Sequence, residues 1–315
     1  MEHAPIFTDW TDETTRGFGR EVLHLRHSLA QSDLFGDDAL ARLIEKAPRH
    51  LYHVCTMSRT GHDARAWRDG DIHGLSGRDV LDAVKRGHLW VHVQKLPEID
   101  PAYGELLDRI FAEIEGRVPG LETFKRQITF LISSPKARVY YHCDVPGQSL
   151  WQLRGTKRVY VYPNTPPFLQ PETMERIILG EQQEDVHYEP WFDEHATIID
   201  LKPGEMLTWP LNAPHRIENH DVVNLSLTTE HWTREIRNSY AVHYANRLLR
   251  RNLGVASLGR DARGVSLYGK MGLAALHKYG RPKTKGGVRS YTVDFRVDPQ
   301  AALGYRDIPA YQIAK

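Results

Sequence analysis

Cysteine is scarce in this chain: there are two in 315 residues, Cys55 and Cys143, far apart and in no CxxC pattern. That excludes a disulfide-stapled scaffold and a thiolate zinc site, and it fits a reducing compartment. Net charge is nearly absent as well, at +1, so the chain as a whole is marked neither for nucleic acid nor for an anionic membrane surface. No apolar run approaches the ~20 residues needed to span a bilayer. The opening "MEHAPIFTDWTDETTRGF" has neither the basic nor the apolar region of a secretory signal. Internal repeats, low-complexity linkers, a Walker loop and a Ser-His-Asp pattern are also missing. What remains, 41% hydrophobic and 26% charged residues, can bury a sizeable core and reads as an ordinary cytoplasmic globular protein.

The charge that is present is unevenly spread. Segment 171–205 carries ten acids against two bases, and segment 233–289 thirteen bases against two acids. Solvated faces or intersubunit contacts account for such asymmetry most simply, and a polyanionic partner is the sharper alternative.

Periodicity divides the chain into three stretches. Residues 1–35 read as irregular. Helical spacing marks 37–48, 77–87 and 100–116, with strand-like runs at 50–57 and 88–96, so residues 1–119 read as a mixed α/β extension packed on the core. From about 120 to 235 the texture is short strands with Gly, Pro and Asn turns, which indicates a small barrel or double-sheet jelly roll. An acidic, helix-containing insert interrupts it. Residues 236–315 form a helical, basic C-terminal extension that also holds a last strand, "RSYTVDFRV". The fold class is thus mainly β with α extensions around one jelly-roll core.

Within that core, "RVYYHCDVPGQSL" places His142 and Asp144 two apart where a strand runs into a turn. Both then project to one side, as a cation requires of two ligands. The spacing alone proves nothing, because chance supplies roughly two His-x-acid pairs in a chain of this composition. The second pair, His187 and Glu189, lies in the acidic insert without a strand pattern and reads as a solvated loop. A third ligand is offered by His215, which opens a strand after "LKPGEMLTWPLNAP". Two histidines and a carboxylate from neighbouring strands leave three coordination positions open, the geometry of non-haem Fe(II) oxygenases.

"YYHCDVPGQSLWQLRGTKRVYVYP", followed some fifty residues later by "LKPGEMLTWPLNAPHRIENHDVVNLSLTTEHW", resembles the JmjC-type, cupin-like Fe(II)/2-oxoglutarate-dependent oxygenases, in the style of their hydroxylase branch. The resemblance covers roughly residues 122–235. It implies a double-stranded β-helix, with His142, Asp144 and His215 as the catalytic iron ligands and 2-oxoglutarate and O2 as cosubstrates. It places Lys157 on the distal carboxylate of 2-oxoglutarate. A hydroxyl beside that carboxylate would come from Thr129 or Tyr140, because the family's usual threonine position is Val139 here. The resemblance also turns Asn224, Ser226 and Thr228 inward to line the site, sets Gln148 near cosubstrate or prime substrate, and puts Trp232 at the mouth. Cys143 points away from the metal. The implied activity is hydroxylation, or demethylation through hydroxylation; the long surrounding extensions, in place of a compact lid, point to a peptide or protein side chain as the substrate. A homodimer through the C-terminal helices is compatible with it. Two alternatives stand beside this reading: a metal-binding cupin without 2-oxoglutarate chemistry, and a non-catalytic regulator that binds nucleic acid or protein through the basic C-terminal segment.

Overall fold

The computed structural model describes residues 4–57, 67–280 and 290–314. In chain order its elements are α1 (Asp12–Gly17), β1 (Leu23–Arg26), α2 (Asp37–Lys46), β2 (Tyr52–Thr56), β3 (Arg68–Asp71), α3 (Gly77–Arg86), β4 (Trp90–Val93) and α4 (Pro101–Arg117). Then follow β5 (Phe124–Ser133), β6 (Arg138–His142), β7 (Gly147–Arg154), β8 (Lys157–Val161), α5 (Pro171–Leu179), β9 (Thr197–Leu201), β10 (Glu205–Thr208), β11 (His215–Asn219) and β12 (Asn224–Trp232). The chain closes with α6 (Arg234–Leu253), α7 (Gly264–Tyr279), β13 (Ser290–Val297) and β14 (Tyr305–Ala314).

Helix limits follow local chemistry. Ser76 and Asp79 form a capping box at the start of α3, the Asp100 carboxylate caps α4 with Pro101 in its first turn, and Thr233 caps α6. Each cap satisfies backbone N–H groups that a helix start leaves without partners. Gly254 ends α6 in the left-handed conformation that glycine adopts without steric penalty.

Strands β5 to β12 form the roll. The order β10-β7-β12-β5 lies within a large sheet, and β6-β11-β8-β9 makes a four-stranded sheet opposite it. Along the chain the strands cross from one sheet to the other at each step except β8 to β9, which pair within the small sheet, and this winding is the double-stranded β-helix. Between the sheets sit Leu131, Leu150, Val159, Val161, Leu201, Leu207 and Ile217. The outer face of the large sheet, with Phe130, Ile132, Trp151, Leu225 and Leu227, is covered by Ile110, Phe111 and Ile114 of α4. Period-2 alternation in β5, β7 and β12 explains both layers, since successive side chains enter different cores.

The large sheet extends past the roll on both sides. On one side β1 pairs with β10; on the other, β4, β2, β3, β13 and β14 continue beyond β5. This corrects the first 35 residues, which were expected to be irregular: they contain α1 and β1, and Ile6, Phe7, Phe18 and Leu25 are buried. "LHLR" is too short to show a period, and its strand exists because β10 offers a free edge. Residues 305–314, beyond the strand expected to be the last, form β14 for the same reason.

The opposite charges of the two extreme segments meet inside the molecule. Arg247 and Arg251 of α6 pair with Glu181 at 2.5 and 2.8 Å, and Arg250 reaches Glu175 at 3.0 Å and Glu172 at 3.3 Å. Much of the basic stripe on α6 is therefore neutralised by α5 and the residues just after it. Residues 281–289 of the basic segment lie outside the described residues. Among the described residues, no helix is long and apolar enough to cross a membrane.

Candidate metal centre

His142 ends β6, Asp144 lies two residues on in the turn to β7, and His215 begins β11, directly opposite His142 in the antiparallel register. Each offers one ligand atom, and the three atoms lie within 4.8 Å of one another. The imidazole rings of His142 and His215 are 4.2 Å apart, centre to centre.

Both histidines are oriented by their own backbone. Nδ1–H of His142 donates to the Tyr140 carbonyl at 2.8 Å, and Nδ1–H of His215 to the Ala213 carbonyl at 3.1 Å. This fixes the tautomer in which Nε2 carries a lone pair, the form that ligates metal. Burial, and then the neighbouring His142, hold His215 neutral by pushing its pKa well below 6.5. The indole of Trp209 packs on His215 at 4.4 Å. Burial raises the Asp144 pKa, opposed by His142 and by a hydrogen bond from the Gln148 side chain. Asn212 Nδ2 donates to the Asp144 carbonyl at 2.6 Å and pins the turn that carries the carboxylate. Asn212 takes a left-handed φ of 60°, which Asn tolerates better than most residues. Its place in "WPLNAPH", a turn residue three positions before His215, is the sequence signal for this role.

These residues face a cavity of about 1000 Å³, at the upper end of the range for small-molecule sites. Lys157 enters it from the first position of β8 and is 3% exposed. Arg158 points outward to a bidentate pair with Asp200, as the alternation in β8 requires. Among the described residues no carboxylate or carbonyl meets the Lys157 ammonium, and burial alone pushes its pKa down to about 7. A lysine buried without a partner is costly and calls for an anion. Thr129, Tyr140, Thr228 and Gln148 line the same cavity. Glu230, two residues beyond Thr228, does so too, its pKa pushed up to about 7 by burial and by Asp144 and Glu184.

Three expected site residues lie elsewhere. Asn224 and Ser226 share the inner face of β12, but Gln152 Nε2 donates to Asn224 Oδ1 and Ser226 Oγ donates to Gln152 Oε1, both at 2.7 Å. Their polar atoms are committed to this buried cluster. Trp232 follows a register shift after Glu230 that breaks the alternation, and its ring packs on Tyr240 of α6 at 5.5 Å with Lys125 above it. The decoy pair stays outside: His187 is 79% exposed and its Nε2 meets Glu189 at 2.6 Å. Cys143, fully buried, turns away from the ligands towards Met174, 3.4 Å from its sulfur.

On the far side of the cavity from β8, the extension strands supply His53, Cys55, Asp69, Trp90 and His92, and the acidic insert supplies Gln183, Glu184 and Asp185. The insert is held beside the ligands because Cys143 N–H donates to the Glu184 carbonyl and Val186 N–H to the Tyr141 carbonyl.

The donor set fits a divalent cation. His215 Nε2 and Asp144 Oδ2 stand 3.3 Å apart, and with Nδ1 protonated both atoms present lone pairs. A cation between them offsets that opposition, and two neutral imidazoles with one carboxylate suit Fe(II).

Among solved structures the chain is similar to ycfD of E. coli, with 18% identity over 89% of this chain and 70% of that one, at a TM-score of 0.49. It is also similar to the Escherichia coli ribosomal oxygenase YcfD in complex with cobalt and 2-oxoglutarate (16% identity, 88% and 69% covered, TM-score 0.46). A third is the non-heme alpha-ketoglutarate-dependent carbocyclase SnoK from nogalamycin biosynthesis (14%, 71% and 84%, 0.44). No protein-family model matches the chain, and no curated protein does.

Proposed function

We propose that this protein is an Fe(II)- and 2-oxoglutarate-dependent oxygenase that hydroxylates a peptide or protein side chain. One observation carries the reading: a His-x-Asp…His face and a buried, unpaired ammonium group open into the same cavity. His142, Asp144 and His215 hold the metal. Bound there with 2-oxoglutarate, iron supplies oxygen activation, one oxygen atom entering the substrate and the other the succinate left when 2-oxoglutarate loses carbon dioxide.

The chain's own residues do the rest. Lys157 pairs with the far carboxylate of 2-oxoglutarate and regains, in that pair, the charge that burial disfavours. The Thr129 and Tyr140 hydroxyls are the donors placed in the same cavity for that carboxylate. Gln148 and Asn212 hold Asp144 in place, and Leu150, Trp209 and Ile217 exclude water from the metal side. A five-carbon diacid fills only a fraction of about 1000 Å³. The remainder, between the extension strands and the acidic insert, accommodates a side chain with its flanking backbone.

A metal-binding cupin without 2-oxoglutarate gives Lys157 no counter-ion, and the ion pairs between α6 and α5 disfavour a nucleic-acid regulator. The test is succinate formation from 2-oxoglutarate with Fe(II) and ascorbate. Wild type turns over; Asp144→Ala and Lys157→Ala do not, and Lys157→Ala still binds metal. Equal succinate from wild type and Lys157→Ala would sink the proposal.

A further inference from the structure

The cavity has a second wall, built by the extension strands, and its chemistry differs from that of the metal end. Alternation in β2 and β4 sends Val54, Val91 and Val93 into the main core, beside Val80 and Val84 of α3. The other face of the same strands presents His53, Trp90 and His92 to the cavity. A sheet face that is not packed on a core is ordinarily polar. Large rings standing half-buried on such a face call for something to cover them.

The rings form one unbroken array. Tyr140, 6.0 Å from the His142 ring, meets Trp67 at 5.6 Å, and Trp67 meets Trp90 at 5.1 Å, centre to centre. Trp90 then meets His92 at 5.4 Å, His92 meets His53 at 6.2 Å, and His53 meets Tyr291 at 5.3 Å. All six line the cavity and all are half-buried. Trp67 stands nearly perpendicular to both neighbours, at 84° and 88°, while Trp90 and His92 lie within 17° of parallel. Aromatic pairs favour such offset and edge-to-face arrangements at about 4.5–7 Å, so one more ring placed against the array continues its pattern.

Charge separates this wall from the metal end. Glu184, Asp185 and Glu230 border the cavity beside the ligands. Along the array, the acid among the cavity-lining residues is Asp69, which accepts the Cys55 S–H at 3.4 Å and lies 3.8 Å from His53 Nδ1. That carboxylate is engaged within the wall, and the array offers ring faces and edges in place of a cation site.

Position keeps the reacting residue away from the far end. β4, β2 and β3 follow β5 of the roll in the sheet. At about 4.8 Å per strand, β3 stands about 14 Å from β5, the length of about four residues of extended chain. A side chain held at the metal cannot also fill that end, whereas a neighbour in the same peptide can.

We infer that the array is a subsite for an aromatic side chain of the substrate, carried about three to five residues from the one that reacts. The inference rests on the reading of this cavity as the peptide site of an oxygenase. Its test is a binding measurement on the full chain without added metal or 2-oxoglutarate. The probe is a blocked pentapeptide, four glycines around a central 4-fluorophenylalanine, followed by its fluorine resonance. The resonance shifts saturably with a Kd of about 1 mM or below. The tyrosine pentapeptide displaces the probe, and the leucine and arginine pentapeptides do so about tenfold less well. Trp90→Leu and Tyr291→Leu, at separate points of the array so that one folded variant suffices, each weaken binding about tenfold. Displacement by leucine or arginine peptide as strong as by tyrosine, undiminished binding in either variant when circular dichroism shows it folded, or no saturable shift up to about 10 mM probe would each overturn the inference. Succinate formation is read separately. Aromatic binding without succinate sinks the oxygenase reading and leaves the subsite standing, and succinate without aromatic binding does the reverse.

Discussion

His215 and Asp144 face each other across 3.3 Å, imidazole Nε2 to carboxylate Oδ2, with 4% and 13% of their side chains exposed. With His215 neutral, that pairing is a liability until a cation enters. Metal should therefore stabilise the fold, since a ligand that binds only the native state adds about 2.7 kcal/mol at a hundred times its Kd. Mn(II) or Co(II) at that excess should raise Tm by about 4 °C, and EDTA should reverse the shift. Asp144→Asn should abolish the shift while leaving the metal-free Tm equal or higher, because the buried charge is gone. Differential scanning calorimetry checks both.

Lys157 gives a pH dependence of definite sign. Its pKa falls from 10.5 unfolded to about 7 folded, so between those values the unfolded chain binds more protons. Stability then rises with pH across that window and is lost as pH falls towards 7, by an amount on the order of a few kcal/mol. The ligand-free protein should melt higher at pH 9 than at pH 7. Lys157→Met should flatten that slope and raise Tm at pH 7. A diacid such as 2-oxoglutarate should flatten the wild-type slope by pairing with the ammonium.

Two other buried groups act in acid. His27 donates from Nε2 to the Glu205 carbonyl and accepts at Nδ1 from Leu29 N–H, while His231 sits between Phe18 and Phe111. Burial pushes both pKa values down to about 4. The unfolded chain takes up protons near 6.5 that the folded one refuses, so their contribution is intact above pH 6.5 and lost on descent to about 4. Tm should drop between pH 6.5 and 5, and His231→Leu should shrink that drop.

Arg216 holds the acidic insert to the small sheet. It donates to the Tyr162 hydroxyl and to Glu218, each at 2.8 Å, and to Asp193 at 2.5 Å, with its guanidinium 3.4 Å from the Tyr160 ring centre. Arg216→Ala leaves Asp193 without its cation, a change that costs about 3–5 kcal/mol when the pair is fully buried. Asp193 is 33% exposed, so the lower end is expected. Urea unfolding should show the loss, and amide exchange should rise in residues 183–196 before it rises in the roll.

Gly147, three residues after Asp144, tests the support under the metal turn. A Cβ there would lie 2.6 Å from the His231 ring, which is packed in place by Phe18 and Phe111. Gly147→Ala should lower stability by about 1–3 kcal/mol and weaken metal binding in the same variant, as read by unfolding and by metal titration.

The order of residues along the chain determined the roll and marked its candidate metal ligands. Alternation in β5, β7, β8 and β12 assigned each side chain to a face, turn residues marked the strand ends, and His142, Asp144 and His215 stood out by their strand context and by the family resemblance, not by donor type alone. A period of two tells which side a residue faces and nothing about its depth along the barrel or its neighbour across the gap. Only the packed molecule therefore decided that Thr228 borders the cavity while Asn224 and Ser226 close a hydrogen-bonded cluster on Gln152. It likewise turned Trp232 onto α6 after a register shift. β1 and β14 became strands because sheet edges awaited them, and such long-range pairing leaves no mark on a four-residue stretch such as "LHLR".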